Sequence, residues 1–206
     1  TGDWKLDSEP LISDTVDETS FKTVGDKGVL ALVCDSTNVF VEGNAGSEMT
    51  VRRKLIELVS QRKQGRMVIA CFASNVARLE SCAIAARQAG RQPVLVGRSM
   101  VRMDQAARTN GYLEGLPAFL QEDEVENLKP EETLIICTGS QGESRSALAR
   151  MAAGDHPRLK LSEGDTVLFS SRMIPGNEEA IRNMQEALIE QGLDRKSTRL
   201  NSSHQI

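Results

Sequence analysis

Five short apolar runs, separated by longer amphipathic stretches, constrain the fold of this chain more than any other feature. Each run is four to six residues long and rich in β-branched residues. The runs are Val29–Cys34, Met67–Phe72, Pro93–Val96, Thr133–Cys137 and Thr166–Phe169. Short continuous apolar runs are typical of strands that are covered on both faces of a parallel sheet. The sequence therefore predicts five buried strands.

Helical patterns occupy most of the intervals between these runs. A final helical pattern follows the last run, and there Ile181, Met184 and Leu188 recur at the spacing of one helical stripe. The predicted helices are Ser47–Gln64, Asn75–Gln88, one around Arg102–Thr109, Glu143–Ala153 and Asn177–Gln191. We expect residues 1 to about 28 to be irregular. Strands that alternate with helices predict an α/β fold, a mostly parallel sheet with helices on both faces.

Composition limits the classes of function that this chain can have. Its 206 residues suit one domain or two small ones. The longest apolar run is far shorter than the span of about 18 residues that crosses a bilayer, and no secretion signal opens the chain. The four cysteines lie far apart without a CxxC pair, which argues against a zinc ribbon or a disulfide scaffold. We therefore expect a cytoplasmic protein that does not contact membranes.

Charge and histidine content restrict the possible partners further. The net charge of −4 gives no overall attraction for nucleic acid, so such binding would need a local basic patch. The two histidines, His156 and His204, are too few for a self-contained histidine-rich metal site. His156 lies in a Gly, Asp and Pro segment without a spaced metal-ligand partner, and we interpret it as a surface-loop histidine.

The segments that follow the predicted strands are the expected location of a ligand site, because the crevice of a parallel sheet lies beyond the carboxyl ends of its strands. These segments combine small residues with hydroxyl or amide side chains: CDSTN at 34–38, CFASN at 71–75, GRSM at 97–100, CTGSQGES at 137–144 and SSRMIPGNE at 170–178. At helix N-termini such residues bind phosphate oxygens, but they also serve simply as helix caps. Both interpretations remain open at this point.

Four charged side chains near these segments also allow two interpretations each. Arg78 and Arg172 could hold a phosphate through paired hydrogen bonds, or they could be solvated. Asp3 and Asp35 each suit a metal ligand or a turn residue. Neither a P-loop nor a GxGxxG motif follows a strand, so an ATP or dinucleotide site is not favoured.

Five segments, taken in order and spacing, resemble bacterial ribonuclease J, an RNA-processing family with a metallo-β-lactamase fold and an inserted β-CASP domain. They are TGDWK at 1–5, CDSTN at 34–38, FASNVARL at 72–79, TGSQGES with SALARMA at 138–152, and SSRMIPGNE at 170–178. The resemblance covers residues 1 to about 194. It implies that residues 1–44 are a remnant of the metallo-β-lactamase αββα domain and that residues 45–194 form a Rossmann-like β-CASP domain. Residues 195–206 match nothing in the family and resemble translated vector or adapter sequence.

The resemblance also implies roles for individual residues. Asp3 matches the aspartate that bridges two catalytic zinc ions, and Asp35 matches an acidic residue that supports the catalytic arrangement. The positions that match RNA-contacting loops, together with Arg78 beside them, are Ala73, Ser74, Asn75, Arg78, Ser140, Gln141, Ser171 and Arg172. The implied partner is RNA, preferably 5′-monophosphorylated, and a homo-oligomer is implied for the full-length protein.

Departures from the family pattern define what to expect of the chain by itself. The HxHxDH cluster that the family places upstream of TGD is absent, as is the downstream HxSGH-like segment, and His204 lies in the tail outside the family pattern. With Asp3 as its one expected ligand, we predict no stable dinuclear zinc site and no nuclease activity. The resulting hypothesis is a fragment of a zinc-dependent ribonuclease, acting as 5′–3′ exonuclease and endonuclease in RNA maturation and decay. The alternative is a non-catalytic α/β module that binds a phosphate or a nucleotide.

Overall fold

The described part of the chain is built around one parallel β-sheet. The computed structural model describes residues 6–36, 39–40, 42 and 46–193. Within them five strands form the sheet: β1 (Met67–Ala70), β2 (Gln92–Val96), β3 (Leu120–Gln121), β4 (Thr133–Cys137) and β5 (Thr166–Phe169). Their order across the sheet is β3-β2-β4-β1-β5, and every neighbouring pair is parallel. The predicted α/β class with a parallel sheet is confirmed.

Six α-helices accompany the sheet within the described residues. They are α1 (Glu18–Asp26), α2 (Glu48–Gln61), α3 (Val76–Gln88), α4 (Arg98–Thr109), α5 (Ala147–Ala152) and α6 (Glu178–Glu190). Two 3₁₀ turns, Val125–Asn127 and Pro130–Glu132, precede β4. No described helix has the length and apolarity that crossing a membrane requires.

Alternate residues of the central strands face two separate cores. Met67 and Ile69 of β1 pack in one core with residues of α2, α3 and α4. Val68 and Ala70 of the same strand pack in the other core with residues of α5 and α6. Because successive side chains of a strand point to opposite faces, a strand covered on both sides must be apolar throughout. The prediction of helices on both faces is therefore confirmed.

The predicted strand Val29–Cys34 is wrong. The segment has no regular secondary structure, Leu30 is fully exposed, and Val33 is 80% exposed. An apolar, β-branched run becomes a strand only where a neighbouring strand completes its hydrogen bonds and another layer covers its side chains. Among the described residues this run is not a member of the sheet, and the side chains of residues 29–33 are exposed. The fifth strand is instead Leu120–Gln121, which pairs with β2.

The helix α1 contradicts the prediction that residues 1 to about 28 are irregular. Asp17 caps this helix, since its carboxylate accepts hydrogen bonds from the Thr19 amide at 3.0 Å and from the Ser20 hydroxyl. No residue of the helix is buried. A helix that buries no residue needs no long hydrophobic stripe, so the capping residue Asp17 was the sequence feature from which this helix could have been predicted.

His156 is buried, which contradicts its interpretation as a surface-loop histidine. Its side chain is 6% exposed, and its Nδ1 accepts a hydrogen bond from the Leu159 amide at 3.2 Å. Burial lowers the pKa of His156, because the charged imidazolium loses its hydration. The ring thus organises the loop from inside, by accepting from the backbone as a turn-forming side chain does.

Candidate nucleic-acid interface

The carboxyl ends of all the parallel strands lie at one edge of the sheet, and four loops meet there. They follow β1, β2, β4 and β5 and comprise residues 71–75, residue 97, residues 138–146 and residues 170–177. The fifth predicted segment, 34–38, follows no strand, and residues 37–38 lie outside the described part. Asp35 is half-buried in that irregular segment. The four remaining loops form the candidate interface.

The loops after β1 and β4 and the first turns of α4 surround an open cleft with a volume of about 580 Å³. The cleft combines hydroxyl groups, apolar side chains, one cation and one anion. Its lining residues are Cys71, Phe72, Ala73, Ser74, Ser99, Met103, Thr138, Glu143, Arg145 and Ser146.

The four hydroxyl groups of the cleft divide into two pairs. Ser146 caps α5, since its Oγ accepts from the Ala149 amide at 3.2 Å, and Thr138 Oγ1 accepts from the Ala147 amide at 3.5 Å. Ser74 and Ser99 are exposed. The first pair therefore fixes the start of a helix, and the second pair is directed to whatever enters the cleft.

Helix α4 begins beside the cleft without a side-chain cap. Its N-cap residue is Gly97, and no side chain accepts a hydrogen bond from the first turn. Gly97 has φ of 106°, and a Cβ there would lie 3.3 Å from Thr138 Oγ1. The amides of a first helical turn carry partial positive charge and bind anions well. The glycine thus brings the helix terminus close to the Thr138 loop, and no described side chain accepts a hydrogen bond from the amides of Arg98 and Ser99, whereas the Met100 amide donates to the Gly97 carbonyl at 3.0 Å.

Three arginines give this edge local positive charge. Arg145 lines the cleft, Arg98 begins α4, and Arg172 lies in the loop after β5; all three are exposed. None of them forms an ion pair with another described residue. Arg145 and Arg98 were not among the predicted site residues, although Arg145 directly follows CTGSQGES and Arg98 belongs to GRSM. A basic residue within or next to a hydroxyl-rich loop was the signal that could have found them.

Arg78 is engaged inside the protein. Its guanidinium contacts the Glu48 carboxylate at 3.0–3.1 Å through Nε and Nη2, and its Nη1 donates to the Ser170 carbonyl at 2.6 Å and hydroxyl at 2.7 Å. Only 11% of the Arg78 side chain and 19% of the Glu48 side chain are exposed. The arginine therefore ties the start of α2 to the loop after β5. Glu48, which sequence reasoning missed, is its partner.

The other residues proposed from the resemblance occupy several kinds of place. Ala73 and Ser74 line the cleft, whereas Asn75 caps α3 by accepting from the Arg78 amide at 2.9 Å. Ser140 is buried, and its hydroxyl has no hydrogen-bond partner among the described residues. Gln141 is also buried and contacts the loop that carries Ser171 and Arg172. Asp3 and His204 lie outside the described residues.

The described residues do not by themselves fit a pair of zinc ions. Among them, no three His, Cys, Asp or Glu side chains come together in a way that could hold a metal ion. The buried thiols of Cys71 and Cys82 contact each other below the cleft; this hydrogen bond and burial raise the pKa of Cys82. Burial likewise raises the pKa of Cys137. The thiols of Cys82 and Cys137 are therefore kept neutral and serve as packing groups.

Comparison with known proteins finds relatives of this chain. The family model "Ribonuclease J, beta-CASP domain" matches residues 64–188. The chain is 47% identical over 193 residues to ribonuclease J of Sinorhizobium meliloti, which covers 94% of this chain and 34% of that protein. It is 39% identical over 206 residues to ribonuclease J 1 of Streptococcus pyogenes, covering 99% of this chain and 36% of that protein. With ribonuclease J of Mycobacterium tuberculosis the identity is 41% over 189 residues, or 91% of this chain and 34% of that protein. The chain thus spans about a third of the length of these curated relatives.

Proposed function

We propose, from the premise that the chain belongs to the ribonuclease J family, that it supplies the RNA-binding face of a metal-dependent ribonuclease. In this proposal the substrate is RNA, preferably with a 5′-monophosphate, and the parent enzyme acts as 5′–3′ exonuclease and endonuclease in the cytoplasm. A homo-oligomer of the full-length enzyme belongs to the same proposal. Residues 1–44 would belong to the metallo-β-lactamase part and residues 45–194 to the β-CASP domain.

The observation that carries this proposal is the cleft at the carboxyl edge of the sheet. Exposed hydroxyls of Ser74 and Ser99, the uncapped start of α4 and the cation Arg145 surround one space. Each of these groups donates to anionic oxygens, and phosphate oxygens are the anions that RNA presents. Phe72, 37% exposed in the same cleft, offers an aromatic face on which a base can stack.

The protein residues bind and orient RNA in this proposal. Ser74 and Ser99 donate hydrogen bonds to phosphate oxygens, Arg145 supplies positive charge in the cleft, and Arg172 supplies it in the loop after β5. Since the net charge of the chain is −4, affinity depends on these local donors rather than on the overall field. Asp35 would support the catalytic arrangement and Asp3 would be a zinc ligand, by resemblance to the family. Zinc, when bound by the complete set of family ligands, would activate the hydroxide that attacks the phosphodiester.

RNA affinity of the purified chain tests the proposal. A fluorescently labelled single-stranded RNA with a 5′-monophosphate is titrated, and the dissociation constant is measured by anisotropy at several salt concentrations. We expect Arg145→Ala to weaken binding about tenfold, because a charge-assisted hydrogen bond contributes roughly 1.5–3 kcal/mol. It should also reduce the slope of log K against log salt by about 0.7, the value for one phosphate contact to a single strand.

A matched control separates the cleft from general charge effects. Arg87 is an exposed arginine in the last turn of α3, and so lies toward the opposite edge of the sheet. Arg87→Ala should leave the affinity and the salt slope unchanged. Equal losses from both arginine substitutions would contradict a binding site in the cleft.

Zinc content and cleavage of the same RNA test the expected inactivity of the chain alone. We expect neither tight zinc binding nor cleavage by the isolated chain, because the described residues hold no metal-binding group. Metal-dependent cleavage would overturn that expectation. Tighter binding of a free mononucleotide than of RNA would favour the alternative, a non-catalytic phosphate-binding module.

A further inference from the structure

Gln141 is a buried side chain that joins two loops of the carboxyl edge. It is 5% exposed. Its Nε2 donates to the Ser171 hydroxyl at 3.1 Å and to the Arg172 carbonyl at 2.8 Å. Its Oε1 accepts from the Ile174 amide at 2.9 Å and from Asn177 Nδ2 at 3.3 Å. Both donors and both acceptor positions of the amide are therefore used within the protein.

The backbone around Gln141 is fixed against α6. Gly142 has φ of 78°, and a Cβ at this position would lie 2.6 Å from the carbonyl carbon of Ala180. The loop after β4 thus lies directly on the first turns of α6, at a distance that no other residue type permits. The backbone N–H of Gln141 also donates to the Glu143 carboxylate at 3.0 Å. The side chain consequently projects from a rigid base.

The loop that Gln141 contacts is otherwise exposed. Arg172, Met173 and Ile174 are all open to solvent. Ordering each residue of such a segment costs about 1–2 kcal/mol of backbone entropy, which packing does not offset where side chains are exposed. Three of the four hydrogen bonds of Gln141 go to residues 171–174. They hold this stretch against the loop after β4, in addition to the hydrogen bond that the Ile174 carbonyl accepts from the Asn177 amide at 3.1 Å.

We propose that Gln141 is a positioning residue that acts through Arg172 and does not itself touch RNA. By holding the carbonyl of Arg172 and the amide of Ile174, it fixes the backbone from which the Arg172 guanidinium projects. This inference rests on the proposed function, in which Arg172 binds an RNA phosphate. Gln141 and Arg172 then form one functional unit, with the arginine as the contact.

A double-mutant cycle distinguishes positioning from direct contact. Gln141→Met keeps the length and volume of the side chain and removes all four hydrogen bonds. We expect Gln141→Met and Arg172→Ala each to weaken binding of the 5′-monophosphorylated RNA by about tenfold, and the double variant to bind no more weakly than Arg172→Ala. Effects that do not add are the mark of two residues acting as a unit. Gln141→Met should also lower the salt slope by the same amount as Arg172→Ala, although glutamine carries no charge.

Hydrogen exchange provides a readout without RNA. The Ile174 amide should exchange slowly in the unsubstituted chain and in Arg172→Ala, and fast in Gln141→Met, because the acceptor of that amide is lost. Gln191→Met is the matched control: Gln191 follows α6 and donates to the carbonyls of Met151 and Ala152, far along the chain from the loop. It should change neither the exchange of Ile174 nor the affinity for RNA.

The outcomes separate this inference from the proposed function. Additive losses of affinity with an unchanged salt slope would show that Gln141 contacts RNA directly and would overturn the inference alone. Failure of the unsubstituted chain to bind RNA would overturn the proposed function and the role of Arg172 with it. If Gln141→Met does not fold by circular dichroism, Asn177→Ala removes a single bond of the same amide. It should then give a smaller loss in the same direction, and no loss in that variant would refute the inference.

Discussion

Replacing Arg78 with leucine should destabilise the chain more than a typical surface substitution. The substitution removes three contacts to the Glu48 carboxylate at 3.0–3.1 Å and two hydrogen bonds to Ser170 at 2.6 and 2.7 Å. Breaking a fully buried ion pair by removing one partner costs about 3–5 kcal/mol. Because 11% of Arg78 and 19% of Glu48 remain exposed, water recovers part of this. We expect the free energy of unfolding to fall by about 3 kcal/mol.

Urea unfolding followed by circular dichroism measures this loss. With an m-value of about 2–3 kcal/mol/M, a loss of that size lowers the midpoint by about 1 M or more. The double variant with Glu48→Leu should regain more than half of the lost stability, because no carboxylate is then left buried and unpaired. A midpoint that falls by less than about 0.3 M in Arg78→Leu would refute the reasoning. Strict additivity of the two substitutions would refute it as well, since it would mean that the two side chains are not coupled.

Three further predictions concern stability. Burial lowers the pKa of His156, so the unfolded state binds a proton first as the pH falls through about 6.5. The urea midpoint of the unsubstituted chain should therefore decrease as the pH is lowered below about 6.5, and it should decrease less in His156→Gln. Gly142→Ala should lower the free energy of unfolding by several kcal/mol, because the new Cβ would collide with the backbone of Ala180. A urea midpoint within about 0.2 M of that of the unsubstituted chain, roughly the spread of neutral surface substitutions, would contradict this close approach. Ile136→Ala in β4 should cost about 2–5 kcal/mol, whereas Leu30→Asp, at a fully exposed position, should change stability by less than about 0.5 kcal/mol; the reverse order would contradict the burial of these side chains.

Four of the predicted strands could be found from the sequence because both of their faces are covered. Thr133–Cys137 and Thr166–Phe169 coincide with β4 and β5 residue by residue. The run Val29–Cys34 has the same local character and is not a strand, since strand formation depends on a neighbour that local sequence cannot specify. The strand β3 was not predicted, for the opposite reason. It has only two residues, Leu120 and Gln121, so no apolar run within it indicates a strand, and its pairing with β2 depends on where the preceding loop places it.

The position of the candidate site in the fold could be predicted from the sequence, whereas the contacts of its individual side chains could not. Parallel strands put their carboxyl ends at one edge, so the four loops could be grouped before any geometry was known. Whether a polar side chain in such a loop faces solvent or the protein depends on packing with distant segments. Arg78 and Gln141 are of residue types that often bind ligands. In this structure, however, Arg78 pairs with Glu48, and Gln141 hydrogen-bonds to the loop after β5. Their partners lie 30 or more positions away along the chain, so a local sequence pattern does not predict these contacts.

The order of the strands also sets the order in which this sheet can assemble. β1, the first strand of the sheet along the chain, is paired with β4 through Met67 and Leu134 and with β5 through Met67 and Thr166. As synthesis proceeds from the N-terminus, β1, which has a neighbour on each side in the finished sheet, is made first and acquires its last neighbour only when β5 has been made. Pairings between such distant segments slow folding, because long loops must close before any contact is gained. During synthesis, the edge of β1 that pairs with β5 in the finished sheet therefore has no partner until β5 leaves the ribosome, and an unpaired strand edge is a site at which other chains can associate.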